Sequence, residues 1–333
     1  MSTLLSVSDL QKHFPIRSGL LGRATALVRA VDGVSFEVDD GETLGVVGES
    51  GCGKSTTARL LIGLIPPDAG KVTFDNRVLG ENLTLAELRR GVQMVFQDSY
   101  ASLNPRLTIE DSIAFGPKVH GVKDAEARAR ARDLLGKVGL DPARFAGRYP
   151  HELSGGQRQR VNIARALAFS PRIVILDEAV SALDKSVEAQ VLNLLTDLKA
   201  ELNLTFVFIS HDLNVVRYIS DRVMVMYLGE VVEIGPAEEL YEAPRHPYTR
   251  ALLGAMPAMD PDTRTQVAPL AGDPPNPINP PAGCRFHTRC PHAETVCSAD
   301  APGLYIAGTN RHLAACFMII PGSGHSQAEA VAA

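Results

Sequence analysis

The chain has 333 residues, of which 45% are hydrophobic and 21% charged, with a net charge of −5. This is the balance of a protein that buries a core, and its acidic surplus gives no electrostatic case for nucleic acid or an anionic membrane surface as the main partner. No stretch approaches the ~18 to 20 unbroken apolar residues of a bilayer-spanning helix. Residues 1–5 lack the charged start of a secretory signal, so a cytoplasmic address is expected.

In chain order, residues 34–38 alternate as a half-buried strand, and residues 43–47 form a short apolar one. A glycine-rich turn follows, then a helical run from Lys54 to Leu64 closed by Pro66 and Pro67. Residues 98–165 read as a mostly helical insert. Pro105 and Pro117 break up its start, Asp124 to Lys137 is rich in Ala and Arg, and a further helix is predicted to open near Ser154. Residues 172–176 and 204–209 are near-continuous apolar runs, as in strands buried on both faces of a parallel sheet. Between them, Val187, Val191, Leu194, Leu195 and Leu198 keep a helical period. Strand, helix and strand at this spacing predict an α/β fold with right-handed crossovers.

The character shifts after Pro257, which suggests one unit over 1–257 and a smaller one over 258–333. Pro274, Pro275, Pro277, Pro280 and Pro281 predict an extended strap. Four of the five cysteines follow it, and the tail from Gly322 is expected to be disordered.

Gly48 to Ser55 matches G-x-x-x-x-G-K-[ST] between a strand and a helix. Gly48, Gly51 and Gly53 let backbone N–H groups wrap phosphate oxygens. Lys54 reaches the β/γ-phosphates, and the Ser55 hydroxyl binds Mg²⁺. Ser50, Cys52 and Thr56 are counted with the loop, Cys52 as a small filler. Residues 173–178 are an apolar strand ending in Asp177, suited to Mg²⁺, and Glu178, suited to take a proton from attacking water.

Leu153-Ser154-Gly155-Gly156-Gln157 resembles the signature of ABC ATPases and falls between the phosphate loop and the carboxylate strand. Gln97, the run Ser181 to Asp184, and His211 are similar to that family's Q-loop, D-loop and switch histidine. The resemblance spans about residues 5–257. It implies a P-loop ABC ATPase domain with a helical signature subdomain and a small cysteine-containing C-terminal extension. It further implies ATP and Mg²⁺ as ligands, Ser55, Gln97 and Asp177 around the metal, and Glu178, His211 and Gln97 in catalysis. Ser154, Gly155, Gly156 and Gln157 would meet ATP held by a second ATPase subunit. Phe14 is the best match to the family's adenine-contacting aromatic, and Ala179 stands where many relatives have proline.

Residues 97–105, residues 244–249 and the tail with Cys284, Cys290, Cys297 and Cys316 resemble the dipeptide and oligopeptide importer ATPases. In that subfamily four such cysteines can hold a 4Fe–4S cluster. Thiolates also suit zinc, and four metal-free thiols are the third reading. The resemblance implies a peripheral subunit at the cytoplasmic face of the cell membrane. Its partners would be a second, different ATPase chain, two transmembrane permease subunits and an extracytoplasmic substrate-binding protein. Di- or oligopeptides are the expected cargo, with nickel complexes, glutathione or another small solute as the alternative. A soluble ABC protein acting on DNA or ribosomes fits poorly, because the chain carries neither a long coiled coil nor a second ATPase half.

Overall fold

The computed structural model describes residues 2–18, 23–256, 275–309 and 311–328. Along the chain, β1 (Thr3–Ser18), β2 (Arg23–Asp39), β3 (Thr43–Val47), α1 (Lys54–Leu61), β4 (Ala69–Phe74), β5 (Arg77–Val78), α2 (Leu85–Gly91) and β6 (Val92–Val95) come first. A helical segment follows, made of α3 (Ile109–Val119), α4 (Asp124–Lys137), α5 (Pro142–Phe145) and α6 (Gly155–Leu167). Then come β7 (Ile173–Asp177), α7 (Lys185–Leu202), β8 (Thr205–Ile209), α8 (Leu213–Ile219), β9 (Arg222–Tyr227), β10 (Glu230–Pro236), α9 (Ala237–Glu242) and α10 (Pro247–Gly254). The C-terminal segment adds α11 (Thr295–Ala299), β11 (Tyr305–Ile306) and β12 (Leu313–Ala314).

Strands β6, β7, β8, β3 and β9 lie parallel in the larger sheet, which runs in the order β11-β12-β10-β9-β3-β8-β7-β6. Every residue of β3, β7 and β8 is buried. Alternate side chains serve two separate cores. Val174, Leu176, Phe206 and Phe208 pack with Val191 and Leu195 on one side, and Ile173, Ile175, Val207 and Ile209 pack with Leu5, Leu60 and Leu61 on the other. Covered on both faces, these strands have no solvent side to encode in polar residues, hence their unbroken apolar runs.

A second sheet, antiparallel in the order β2-β1-β4-β5, lies over the second core; of it the sequence reading has only the strand at 34–38, which falls in β2. Its long arms carry register shifts, for example between Val7 and Leu10, that blur the period-2 signal. Other local expectations also shift. Helix α1 ends at Leu61, and Pro117 lies in the last turn of α3 instead of ahead of the helical stretch. A proline there removes only one backbone bond near a helix end, and Thr108 caps the other end by accepting from the Asp111 N–H at 3.2 Å. The expected extended strap is broken by a turn. Asn276 accepts from the Ile278 N–H at 2.9 Å, and its carbonyl accepts from the Asn279 N–H at 3.3 Å. Pro274 and the expected unit boundary at 257–258 lie outside the described residues.

The C-terminal segment is built onto the larger sheet. Strand β12 pairs antiparallel with β10, aligning Ala314 with Glu233 and Leu313 with Ile234. Glu233 is fully buried and accepts from the Arg245 N–H at 2.7 Å and the His246 N–H at 2.9 Å, with the His312 ring at 2.7 Å. Burial opposes its ionisation, but these bonds and one from Thr249 outweigh that and hold the carboxyl below its ordinary range. Residues 322–328, expected to be disordered, are tied down: His325 Nε2 lies 2.9 Å from the His292 carbonyl, and Ser326 N–H donates to Glu294 at 2.9 Å.

His246 caps α10 by accepting from the Tyr248 N–H at 3.0 Å, and its burial pushes its pKa down to about 4. A histidine held neutral in the fold while the unfolded chain protonates near pH 6.5 costs stability as pH falls between those two values. Its share of that loss has a slope of at most about 1.4 kcal/mol per pH unit. Glu233, with a depressed pKa, contributes pH dependence only below about 4.5. His246→Asn keeps a cap acceptor, so denaturant unfolding from pH 6.5 to 5 should show a shallower stability loss in the variant. An unchanged slope would remove His246 as the cause.

Candidate nucleotide-binding site

The turn between β3 and α1 can take its shape only without side chains at two positions. Gly53 has φ 109°, and a Cβ there would stand 2.3 Å from the Ala30 carbonyl oxygen of β2. Gly48 has φ 147°, and its Cβ would meet the Met226 carbonyl oxygen of β9 at 2.2 Å. Helix α1 starts with no side-chain cap, which leaves its first N–H groups facing the loop's interior. The Lys54 ammonium is folded back onto the Gly48 carbonyl at 2.7 Å and the Glu49 carbonyl at 3.0 Å. Cys52 is buried beside it, Sγ 3.7 Å from Lys54 Nζ, and burial pushes its thiol pKa up.

Val28, Ala30, Ser50, Gly51, Gly53, Lys54, Ser55, Thr56, Gln97, Glu178 and His211 line one cleft of about 400 Å³. At its floor the Ser55 hydroxyl donates to Asp177 at 2.8 Å. Burial raises the Asp177 carboxyl above its usual range, against the Ser55 bond and the charges of Arg59 and Lys54. Glu178 accepts from Gln97 Nε2 at 2.8 Å, and His211 Nδ1 lies 3.6 Å from the same carboxylate oxygen. Glu178 has φ 48°, a conformation that costs a non-glycine residue about 1–3 kcal/mol. It is held there at both ends: its N–H donates to the Ile209 carbonyl at 3.0 Å and its carbonyl accepts from Ser181 Oγ at 2.9 Å.

The signature residues do not line this cleft. Ser154 caps α6 in a reciprocal box, its Oγ accepting from the Gln157 N–H at 3.3 Å and its own N–H donating to Gln157 Oε1 at 3.0 Å. Gly155 and Gly156 open the helix partly exposed. Gly156 also has a packing reason to be glycine: a Cβ there would meet Val187 Cγ1 of α7 at 2.4 Å. Phe14 is 37% exposed on β1, directly opposite Val28 of β2, which does line the cleft. Sequence reasoning missed Val28 and Ala30. They sit in a strand that precedes the loop by some twenty residues and carry no motif.

The four late cysteines form no disulfide. Burial pushes the Cys284 thiol up to about 12, the Cys316 thiol up to about 11, and that of Cys290 upward as well. The Phe286, His292 and Met318 N–H groups donate to the sulfurs of Cys284, Cys290 and Cys316 respectively. Cys284 senses the charge of the other three sulfurs. Among the described residues, no three His, Cys, Asp or Glu side chains are already gathered closely enough to hold a metal ion.

A glycine-braced phosphate loop, a carboxylate pair ending β7 of the same parallel sheet and a signature helix outside the cleft are the parts of an ABC ATPase. Comparison with known proteins agrees. Residues 31–181 match the family model described as ABC transporter, and residues 232–297 match the oligopeptide/dipeptide transporter C-terminal region. The chain is 50% identical to the oligopeptide transport ATP-binding protein AppF of Bacillus subtilis, covering 95% of this chain and 97% of that protein. It is 48% identical to OppF of Salmonella typhimurium, over 96% and 97% of the two chains. To the di/tripeptide transport ATP-binding protein DppF of Pseudomonas aeruginosa it is 47% identical, over 91% and 94%. Among solved structures, the dimeric post-hydrolysis state of the ATP-binding cassette MJ0796 bound to ADP and Pi superposes with a TM-score of 0.61 at 31% identity, covering 70% of this chain and 99% of that one. The chain belongs to the family of ATP-binding proteins of oligopeptide and dipeptide ABC transporters.

Gly156→Ala should push α6 against a stiff β-branched neighbour at a cost of about 1–3 kcal/mol. Adding Val187→Ala should restore most of the lost melting temperature. If the single variant melts like the parent, the packing role of Gly156 is void.

Proposed function

We propose that the chain is the ATP-hydrolysing subunit that powers import of di- or oligopeptides. The observation that carries this reading is the convergence of Lys54, Ser55, Gln97, Glu178 and His211 on one cleft beside a glycine-braced loop, with Asp177 bonded to Ser55. ATP phosphates are held by the loop's N–H groups, the start of α1 and Lys54, with Ser50, Gly51, Ser55 and Thr56 lining the cleft. Ser55 and Asp177 offer hard oxygen donors that suit Mg²⁺, with Gln97 above them, and the raised pKa of the Asp177 carboxyl is relieved by a cation. Bound there, Mg²⁺ would neutralise charge on the phosphate oxygens. Glu178 accepts the proton of the attacking water, Gln97 orients the carboxylate, and His211 stands by the same oxygen to meet the γ-phosphate. Phe14 is assigned to the adenine because its cross-strand partner lines the cleft.

Ser154, Gly155, Gly156 and Gln157 are assigned to the nucleotide of a second ATPase subunit. Two findings support this: the signature helix does not line its own cleft, and the similar MJ0796 cassette is a dimer with ADP and Pi. Of the two permease subunits, one is assigned to a second groove of about 410 Å³ between the helical segment and the larger sheet, lined by Leu64, Met94, Phe96, Ile113, Phe115 and Phe169. Phe115 and Leu64, 59% and 48% exposed, give it an apolar rim suited to a short amphipathic helix. Among the described residues no helix is long and apolar enough to cross a membrane, so docking on those subunits would hold the protein at the cytoplasmic face. The cargo reading rests on the names of the relatives, with nickel complexes or glutathione as its rivals and an extracytoplasmic binding protein as its source.

For the cysteines we favour a 4Fe–4S cluster. Cys284 senses the other three sulfurs, three of the four have an N–H donor, and the thiol pKa values that burial raises would be relieved by coordination to iron, for which thiolates are soft donors.

In the assembled transporter, ATP turnover should rise with peptide-loaded binding protein. Glu178→Gln should lower turnover by about 10²–10⁴-fold while ATP still binds. Normal turnover would remove Glu178 as the base, and stimulation by a nickel complex instead of peptides would reassign the cargo. Purified without air, the protein should be brown and contain iron, and Cys284→Ser should bleach it; a colourless, zinc-containing preparation refutes the cluster.

A further inference from the structure

Glu49 is the second residue of the phosphate loop, yet its side chain does not line the phosphate cleft. The carboxylate is turned to the back of the loop, where it meets the C-terminal segment. Arg289, in the single turn before Cys290, grips it with both arms of its guanidinium: Nη1 to Oε2 at 2.9 Å and Nη2 to Oε1 at 3.1 Å. The arginine side chain is 5% exposed and the glutamate 23%, so this pair is shielded from water. Arg289 Nη1 also donates to the Tyr227 hydroxyl at 3.3 Å. The same glutamate is held at two more points: its N–H donates to the Tyr248 hydroxyl at 2.9 Å and its carbonyl accepts from Lys54 at 3.0 Å.

The floor under this contact is itself shared. The rings of Tyr227 and Tyr248 lie 4.6 Å apart, and Phe286 stands edge-on to both at 5.4 Å. Four residues before Arg289, Arg285 bonds to Asp32 and to the Leu228 carbonyl; Asp32 also lies 2.8 Å from His13 of β1. One short segment therefore fastens the back of the loop and the strands whose other residues, Val28 and Ala30, line the cleft.

We propose that Arg289 is a positioning residue for the ATPase site: it neutralises Glu49 and holds the first arm of the phosphate loop. The physical need is plain. The loop exists to collect anionic phosphates, and an unpaired carboxylate in its own backbone stretch would repel them through a medium that screens poorly. A bidentate arginine cancels that charge and fixes the orientation of the Gly48–Glu49–Ser50 backbone. The cysteine segment, on this view, is part of the nucleotide site although it touches no nucleotide.

The proposal rests on the loop being the ATP site, and the test separates the two. In the assembled transporter, Arg289→Met should raise the KM for ATP about tenfold, with a smaller effect on kcat, because an uncompensated charge weakens nucleotide binding first. Glu49→Gln removes the carboxylate. The double variant should return to the KM of Glu49→Gln alone, since the arginine then has nothing to neutralise. Arg289→Lys, which keeps the charge and loses the fork, should fall between parent and Arg289→Met and serves if the methionine variant does not fold. If the double variant is as impaired as Arg289→Met, or if Arg289→Met leaves the KM unchanged, Arg289 only fastens the segment and the proposal is overturned. Lys54→Ala must lose ATP binding in every background. If it does not, the loop assignment fails instead.

Discussion

The structure depends on keeping a bare stretch of backbone open. A loop that binds phosphate with N–H groups cannot fill itself with side chains, so something else must give it shape. Here strand backbones do so, with the Ala30 carbonyl of β2 against Gly53 and the Met226 carbonyl of β9 against Gly48. Each contact leaves no room for a methyl group. The parallel sheet supplies one brace and the antiparallel sheet the other, so the two layers are both needed to define the cleft.

Much of this was legible in the sequence, for a physical reason. The loop, the Asp177–Glu178 strand end, His211 and the signature are short runs whose chemistry is local, and their flanking strands are apolar on both faces because both faces are covered. The central strands, α4, α6 and α7 fall where their patterns predict. Of the antiparallel sheet only residues 34–38 of β2 were legible, because register shifts in β1 and β2 break the alternation that would have announced the rest. Pairings across the chain were equally hidden. Glu49 and Arg289 are 240 positions apart, and a charged residue's periodicity does not say which partner it will find. Gly156 was read for its place near phosphate, while its contact with Val187 of α7 came only from the fold.

The C-terminal segment changes meaning once its contacts are seen. As a sequence it is a proline stretch followed by cysteines. In the fold it contributes an aromatic ring, three arginines and a histidine to positions that the ATPase domain leaves incomplete, Arg311 meeting Asp39 at 2.7 Å. His312 answers Glu233, Arg285 answers Asp32, and Arg289 answers Glu49. Each pairs a carboxylate of the first 256 residues with a basic group of the last sixty, which is why neither portion of the chain is electrostatically self-sufficient.

The pairing of β12 with β10 carries a consequence for anyone who shortens the chain. If translation or proteolysis ended it after α10, the outer side of β10 would offer a row of unsatisfied N–H and carbonyl groups, flanked by Val231, Val232 and Ile234. Such an edge invites a strand from another molecule. Strand β12 covers that edge at Glu233 and Ile234, and a minimal ATPase domain cut from this protein would expose it, where a lysine is the kind of residue that blunts such an edge.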